Sequence, residues 1–149
     1  MITYVQGDIF KGTEDVIVHG CNCLCKFKRG IALQVARLYP QAYDADKATT
    51  RGDVTKLGTY TQWEGRHYYD LTRTVTIINA YTQFYPSVKM KPFDYNAFFS
   101  VLLKIKDRFS LRTIAMPKIG AGLAGGDWER IAGIINDVFP DKEIKIYVL

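Results

Sequence analysis

The chain has 149 residues, of which 20 are lysine or arginine and 15 are aspartate or glutamate, so its net charge is +5. This length and a composition of 48% hydrophobic and 23% charged residues predict one globular domain over residues 1–149, which excludes disordered, collagen-like and coiled-coil classes. No apolar run approaches the roughly 20 residues of a membrane-spanning helix, and no signal-peptide pattern is visible at the start, so a cytoplasmic location is expected.

Strand-like and helix-like segments alternate along the chain. Short β-branched or alternating runs predict strands, which lie at residues 2–5, 16–19, 74–80, 113–116 and 143–149, together with a hairpin of residues 59–63 and 67–71 around residues 64–66. Apolar residues at helical spacing predict helices at residues 31–39, 42–49, 94–109 and 128–139, with Asp94 and Asp127 as N-caps. The alternation predicts an α/β fold with a mixed or parallel sheet and helices on both faces.

A glycine-rich segment precedes the last predicted helix. Its four glycines within seven positions are Gly120, Gly122, Gly125 and Gly126. Glycines let backbone N–H groups approach a ligand, and a helix N-terminus adds partial positive charge, so this loop suits a phosphate group. The spacing differs from the P-loop and from the dinucleotide-binding motif. A tight turn that needs glycine only for its geometry is the alternative interpretation.

A second segment, residues 19–30, also follows a predicted strand and precedes a predicted helix. Lys26, Lys28 and Arg29 bring three positive charges to this helix start beside Gly30. This arrangement indicates a second phosphate-binding loop at the same edge of the sheet. A solvated, mobile loop is the alternative.

Thiols and polar side chains alternate at the start of that segment. Cys21, Cys23 and Cys25 are too few and too closely spaced for a disulfide framework, and they are interpreted as packing thiols rather than metal ligands. Asn22 between two thiols is expected to be hydrogen-bonded. His19 ends an apolar strand, so either a hydrogen-bonded core histidine or a catalytic histidine is consistent with its position.

The first predicted strand is followed by Gly7, Asp8 and Ile9. A carboxylate at this place lies where open α/β sheets bind ligands, although an Asx turn is the alternative. Two glycine-containing anion loops and an acidic residue at strand ends together suggest a nucleotide that contains a pyrophosphate.

These motifs together resemble the macrodomain family, which binds ADP-ribose. The matching pieces, in family order, are Gly7-Asp8-Ile9, residues 16–22, Gly30-Ile31-Ala32, Leu38-Tyr39-Pro40 and residues 116–122. The resemblance covers nearly the whole chain and implies a three-layer α/β/α fold with a central mixed sheet. Within the family, residues 16–40 look most similar to the small ADP-ribose 1″-phosphate phosphatases.

The resemblance also implies site residues. Asp8 matches an aspartate that hydrogen-bonds the adenine amino group, and Asn22 matches an asparagine near the distal ribose. His19, Asn22 and Asp127 are the implied catalytic residues. The implied ligand-binding residues are Gly7, Asp8, Ile9, Gly30, Ile31, Ile119, Gly120, Ala121, Gly122, Leu123 and Ala124. Tyr81, which follows the central strand, is expected to shield the adenosine.

Removal of the terminal phosphate of ADP-ribose 1″-phosphate is the activity that the resemblance favours. Removal of ADP-ribose from modified protein or nucleic acid, and binding of ADP-ribose without catalysis, are the alternatives. Residues 78–81 lack the lysine found in relatives that act on protein carboxylates, which disfavours attack by lysine. A nucleic-acid-binding module with base-stacking aromatics such as Trp63 and Tyr68 is a further alternative. A monomer without cofactor, metal or membrane partner is expected.

Overall fold

One mixed sheet organises the computed structural model, which describes residues 1–86, 92–122 and 124–149. Its strands are β1 (Ile2–Gln6), β2 (Val16–Asn22), β3 (Tyr60–Arg66), β4 (Thr74–Gln83), β5 (Ile114–Pro117) and β6 (Ile144–Val148), in the order β1-β6-β5-β2-β4-β3. Strand β3 is antiparallel to β4, and the other pairs are parallel. The helices are α1 (Gly30–Leu38), α2 (Pro40–Lys47), α3 (Tyr95–Arg108) and α4 (Trp128–Val138).

The two faces of the sheet are covered by different helices. Val16 and Val18 of β2 join a buried cluster with residues of α3 and α4. Ile17 and Cys21 of the same strand join a second cluster with residues of α1 and α2. Because successive side chains of a strand point to opposite faces, the sheet lies between these two helical layers. The predicted three-layer α/β/α fold is confirmed.

Helix starts follow the predicted local chemistry. Asp94 accepts a hydrogen bond from the Ala97 N–H at the start of α3, and Asp127 accepts one from the Glu129 N–H at the start of α4, so both predicted N-caps are confirmed. Pro40 begins α2, two residues after the end of α1 at Leu38. Within the described ranges, no helix has the length and apolar content that crossing a bilayer requires.

The predicted hairpin around residues 64–66 is wrong. Those residues belong to β3, which pairs with β4 from Tyr60 opposite Ala80 to Arg66 opposite Thr74. Gly65 pairs with Val75 in the strand ladder instead of forming a turn. Glycine suits this position because a Cβ here would collide with the ring of Trp63. Residues 67–73 form the connection instead.

The two central parallel strands β2 and β5 are neighbours, and the chain leaves them toward opposite layers. The first loop, residues 23–29, leads from β2 to α1 on one face. The second loop, residues 118–127, leads from β5 to α4 on the other face. Chains that diverge in this way open a crevice at the carboxyl ends of the strands, where α/β proteins bind ligands.

Candidate functional site

A cavity of about 500 Å³ occupies this crevice. Its walls come from both loops and from the ends of β2 and β4, and its lining residues are Gly20, Asn22, Lys26, Lys28, Arg29, Gly30, Ala32, Gln83, Pro86, Gly120, Gly122 and Ala124. The size falls within the range of small-molecule sites. The structure thus brings the two glycine-containing loops together as predicted.

The wall of the cavity is positively charged. Lys26, Lys28 and Arg29 line it, and the lining set contains no carboxylate. Three of the 20 lysine and arginine side chains therefore lie on one concave surface. Such a concentration of one sign of charge attracts an anionic ligand.

Asn22 holds the first loop in shape. Its side-chain oxygen accepts a hydrogen bond from the Leu24 N–H at 2.9 Å, and its side-chain nitrogen donates to the Lys26 carbonyl at 2.9 Å. The side chain is 7% exposed and lines the cavity. The expected hydrogen bonding of Asn22 is confirmed, and its partners lie within the loop that carries the basic residues.

Glycine is required in the second loop at Gly120. Its φ of +78° is left-handed, and a Cβ there would press on the Phe93 ring. The Gly126 N–H donates to the Gly120 carbonyl at 2.7 Å, which closes the loop on itself. Gly122 is exposed, lines the cavity and has open space where a side chain would stand. At Gly120 and Gly122 this loop therefore presents backbone to the cavity.

The remaining predicted ligand residues differ in their exposure. Ile119 is 3% exposed and packs in the core cluster of α3 and α4. Gly30 lines the cavity, and Ile31 packs against the cluster of α1 and α2. Ala121 is half-buried beside the lining residues Gly122 and Ala124, and Leu123 lies outside the described residues.

The predicted adenine-binding residues follow β1 at the same edge of the sheet. The Gly7 N–H donates to the Val148 carbonyl at 2.8 Å, and Asp8 accepts a hydrogen bond from the Phe10 N–H at 2.9 Å. Ile9 is 4% exposed. Strands β6 and β5 separate β1 from β2, so this turn lies to one side of the cavity rather than in its described wall. Contact of Asp8 with adenine stays a prediction.

His19 lies on the face of the sheet that α1 and α2 cover. It is 1% exposed, forms a 2.7 Å hydrogen bond with Asn79 and packs edge-on against Phe27. Burial lowers its pKa to about 4. The described part of the cavity wall does not include His19, and its surroundings are those of a hydrogen-bonded core histidine. Its catalytic role stays a prediction.

Asp127 stands exposed at the start of α4. Its carboxylate caps the helix through the Glu129 N–H at 3.0 Å, and its own N–H donates to the Tyr95 hydroxyl at 2.9 Å. The carboxylate is thus already engaged in a structural hydrogen bond. A catalytic role for Asp127 also stays a prediction.

Tyr81 is packed in the interior of the protein. Its side chain is 1% exposed in the cluster of α1 and α2, and its hydroxyl donates to the Asp46 carboxylate at 2.7 Å. Burial also raises the pKa of this phenol. In this conformation Tyr81 does not line the described cavity surface, because its side chain packs on the face of the sheet that α1 and α2 cover. Shielding of the adenosine by Tyr81 stays a prediction.

Sequence reasoning missed several lining residues. Gln83 is the last residue of β4, Pro86 follows that strand, and Gly20 lies inside β2. A Cβ at Gly20 would approach Ile119 and Thr82 to 2.9 Å, so glycine here keeps the floor of the cavity open. The glycine within an otherwise apolar strand was the available signal for Gly20.

Comparisons with known proteins agree with this geometry. The Macro domain family model matches residues 18–135. An uncharacterized 17.5 kDa protein of Enterobacteria phage T4 is 36% identical, with 98% of this chain and 95% of that protein covered. The DNA ADP-ribosyl glycohydrolase of Mycobacterium tuberculosis is 30% identical over 99% of this chain, which spans 42% of that protein.

An ADP-ribose 1″-phosphate phosphatase of Debaryomyces hansenii is 27% identical, with 100% of this chain and 99% of that protein covered. Among solved structures, the macrodomain of Mycobacterium tuberculosis DarG is similar with a TM-score of 0.79 and 29% identity, covering 100% of this chain and 98% of that one. The cavity lies at the carboxyl edge of a fold shared with that structure. The chain belongs to the Macro domain family.

Proposed function

We propose that this chain binds ADP-ribose derivatives in the cavity and removes the terminal phosphate of ADP-ribose 1″-phosphate. The observation that carries the proposal is the convergence of Lys26, Lys28 and Arg29 on a cavity wall with no carboxylate among its described lining residues. A pyrophosphate accounts for two negative charges, and a terminal phosphate supplies the additional charge that a third cation would balance. The similarity to an ADP-ribose 1″-phosphate phosphatase supports the same substrate.

The two loops would bind different parts of the ligand. The second loop offers backbone N–H groups and the N-terminus of α4 to the pyrophosphate, with Gly122 leaving room for close approach. The first loop offers its lysine and arginine side chains to the terminal phosphate. Arginine and lysine bind phosphate through charge-assisted hydrogen bonds.

The reaction is a hydrolysis at phosphorus. Water attacks the terminal phosphorus, the P–O bond to the C1″ oxygen breaks, and that oxygen takes a proton, which yields ADP-ribose and inorganic phosphate. Lys26, Lys28 and Arg29 would stabilise charge on the transferred phosphoryl oxygens. Asn22 would act by holding the loop that carries them. His19 and Asp127 are the candidate acid and base, and phosphate release by His19→Asn and by Asp127→Asn tests these roles.

The experiment measures phosphate release from ADP-ribose 1″-phosphate by the wild-type chain and by Lys28→Met, Arg29→Met and the double variant. Loss of a charge-assisted hydrogen bond predicts about a tenfold fall in kcat/KM for each single variant. Lys106→Met, which removes an exposed lysine on α3, is the matched control and should match the wild type. Absence of phosphate release by the wild type would contradict the proposed activity.

The second candidate is release of ADP-ribose from modified DNA. It is favoured by the 30% identity, over 99% of this chain, to a DNA ADP-ribosyl glycohydrolase. Water would then attack the C1″ carbon and break its bond to the nucleobase, which takes a proton. The products are ADP-ribose and unmodified DNA. The same cations would meet backbone phosphates, so turnover should fall steeply with salt.

A substrate comparison separates the candidates. Wild-type chain is incubated with ADP-ribose 1″-phosphate, ADP-ribosylated DNA and an ADP-ribosylated carboxylate peptide, and products are identified by mass. Phosphate from the first substrate alone supports the phosphatase, whereas unmodified DNA from the second supports the glycohydrolase. Saturable ADP-ribose binding without any product identifies a non-catalytic reader.

A further inference from the structure

A buried lysine lies directly behind the first loop. Lys56 is at the end of a short 3₁₀ helix, Val54–Lys56, and only 7% of its surface is exposed. A buried ammonium is costly unless polar groups surround it. The buried ammonium group of Lys56 therefore needs hydrogen-bond acceptors close to it.

The contacts of Lys56 show which part of the fold it stabilises. Its Nζ donates to the Cys23 carbonyl at 3.4 Å and to the Cys25 sulfur at 3.6 Å, and it lies 4.7 Å from the centre of the Tyr81 ring. Two of these three contacts are with the first loop. The third is with the residue whose hydroxyl donates to Asp46.

Asp46 supplies negative charge to the same buried region. It is fully buried, and one carboxylate oxygen accepts from Tyr81 while the other has no hydrogen-bond partner among the residues that the structure describes. The carbonyl of Asp46 accepts from the Cys25 thiol at 3.6 Å. Helix α2 and the 3₁₀ helix thus contact the loop through Asp46 and Lys56, neither of which is among the described residues that line the cavity.

The part of the loop that Lys56 contacts is conformationally constrained. Cys25 has a φ of +56°, the one left-handed non-glycine residue in the described chain. Such a conformation persists only when neighbouring contacts fix it. The Tyr43 hydroxyl donates to the Cys25 carbonyl at 2.8 Å, and Lys56 holds the Cys25 sulfur and the Cys23 carbonyl.

Lys26, Lys28 and Arg29 follow this constrained turn immediately and line the cavity. A change at Cys25 would move the backbone from which these side chains project. We propose that Lys56 is a positioning residue for the anion-binding loop, acting through Cys23 and Cys25 without touching the ligand. This inference rests on the proposed binding of ADP-ribose derivatives in the cavity.

The test compares Lys56→Met with wild type by calorimetric titration of ADP-ribose and by amide hydrogen exchange without ligand. Lys56→Met keeps the length of the side chain but removes its donors, so Kd should rise about tenfold. Exchange of the Cys23 and Leu24 amides, which donate to Phe84 and Asn22, should quicken about tenfold. Lys56→Gln, which keeps a donor, should recover part of both effects.

Lys104→Met is the matched control, because Lys104 Nζ also donates to a backbone carbonyl, that of Gly58, outside the first loop. It should leave Kd and first-loop exchange unchanged. Unchanged exchange in folded Lys56→Met would overturn the positioning role, whatever the chain binds. Faster exchange together with no ADP-ribose binding by the wild type would instead contradict the proposed function while leaving the loop contact established.

Discussion

His19 Nε2 lies 2.7 Å from Asn79 Oδ1, and the two residues face each other across the paired strands β2 and β4. The Asn79 amide nitrogen donates to the Ala42 carbonyl and to the Thr61 hydroxyl, which directs its oxygen toward the imidazole. His19 Nε2 therefore carries the proton in the neutral ring. The Asn79–Ala42 bond joins the central sheet to helix α2 inside the protein core.

The first prediction concerns stability against pH. The folded pKa of His19, about 4, lies below its ordinary value of 6.5, so the unfolded chain binds more protons between these values. The contribution of neutral His19 to the free energy of unfolding is present above pH 6.5 and is lost as pH falls toward 4. Between pH 6.5 and pH 5, His19 should account for about 2 kcal/mol of lost unfolding free energy.

Urea unfolding at pH 6.5 and pH 5 measures that loss in wild type and in His19→Asn. Burial also lowers the pKa of His67, which therefore acts in the same direction, so His67→Asn serves as the comparison that retains the His19 contribution. Equal pH dependence in wild type and His19→Asn would show that His19 does not remain neutral in the fold.

The second prediction concerns access to the cavity. Gly122 lines the cavity, has open space at its Cβ position and lacks a left-handed backbone. Gly122→Val should fold normally yet raise the Kd for ADP-ribose at least tenfold, because the new side chain would fill ligand space. Gly133→Val places the same side chain in open space on α4 and should bind as the wild type does. Titration calorimetry checks both variants, and unchanged binding by Gly122→Val would contradict the cavity assignment.

The third prediction separates capping from catalysis at Asp127. Asp127→Ala should lower the unfolding free energy by about 1 kcal/mol through loss of the N-cap, whereas Asp127→Asn keeps a capping oxygen and should unfold like the wild type. Thermal unfolding measures both. Phosphate release by Asp127→Asn then reports chemistry alone: a loss of turnover in this stable variant assigns the carboxylate to the reaction, and full turnover assigns it to the helix.

The fourth prediction concerns the strand that replaced the expected hairpin. Gly65→Ala should destabilise the protein by about 1–3 kcal/mol, because the added methyl group collides with the Trp63 ring. Trp63→Leu removes the obstacle, so adding Gly65→Ala to that variant should cost less than it does in the wild type. Denaturant unfolding of the four proteins gives this coupling directly, and additive effects would contradict the contact.

Features that depend on neighbouring residues in the chain were predictable. Asp94 and Asp127 begin their helices because an aspartate side chain reaches the N–H groups two or three residues later. The basic first loop and the glycine-rich second loop were also located correctly, since a strand followed by a helix places each at the carboxyl edge.

Features that depend on distant packing were not predictable. Gly65 is typical of a turn, yet the strand continues through it because residues 64–66 pair with β4, and the ring of Trp63 covers the space that a side chain would need. Tyr81 directly follows the predicted apolar strand, as a ligand residue could, yet the Asp46 carboxylate from helix α2 holds its hydroxyl in the interior. The buried Lys56 gave no signal at all, because its two partners in the first loop lie more than thirty residues earlier in the chain.

Because the two loops lead to opposite faces of the sheet, a bound ligand would couple the stability of the helices that follow them. The first loop is continuous with α1, the second with α4, and these helices lie on opposite faces of the sheet. A ligand that contacts both loops would connect the two helical layers on opposite faces of the sheet. Occupancy should therefore slow local opening of both helices together, so that α1 and α4 would unfold as one unit only in the bound protein.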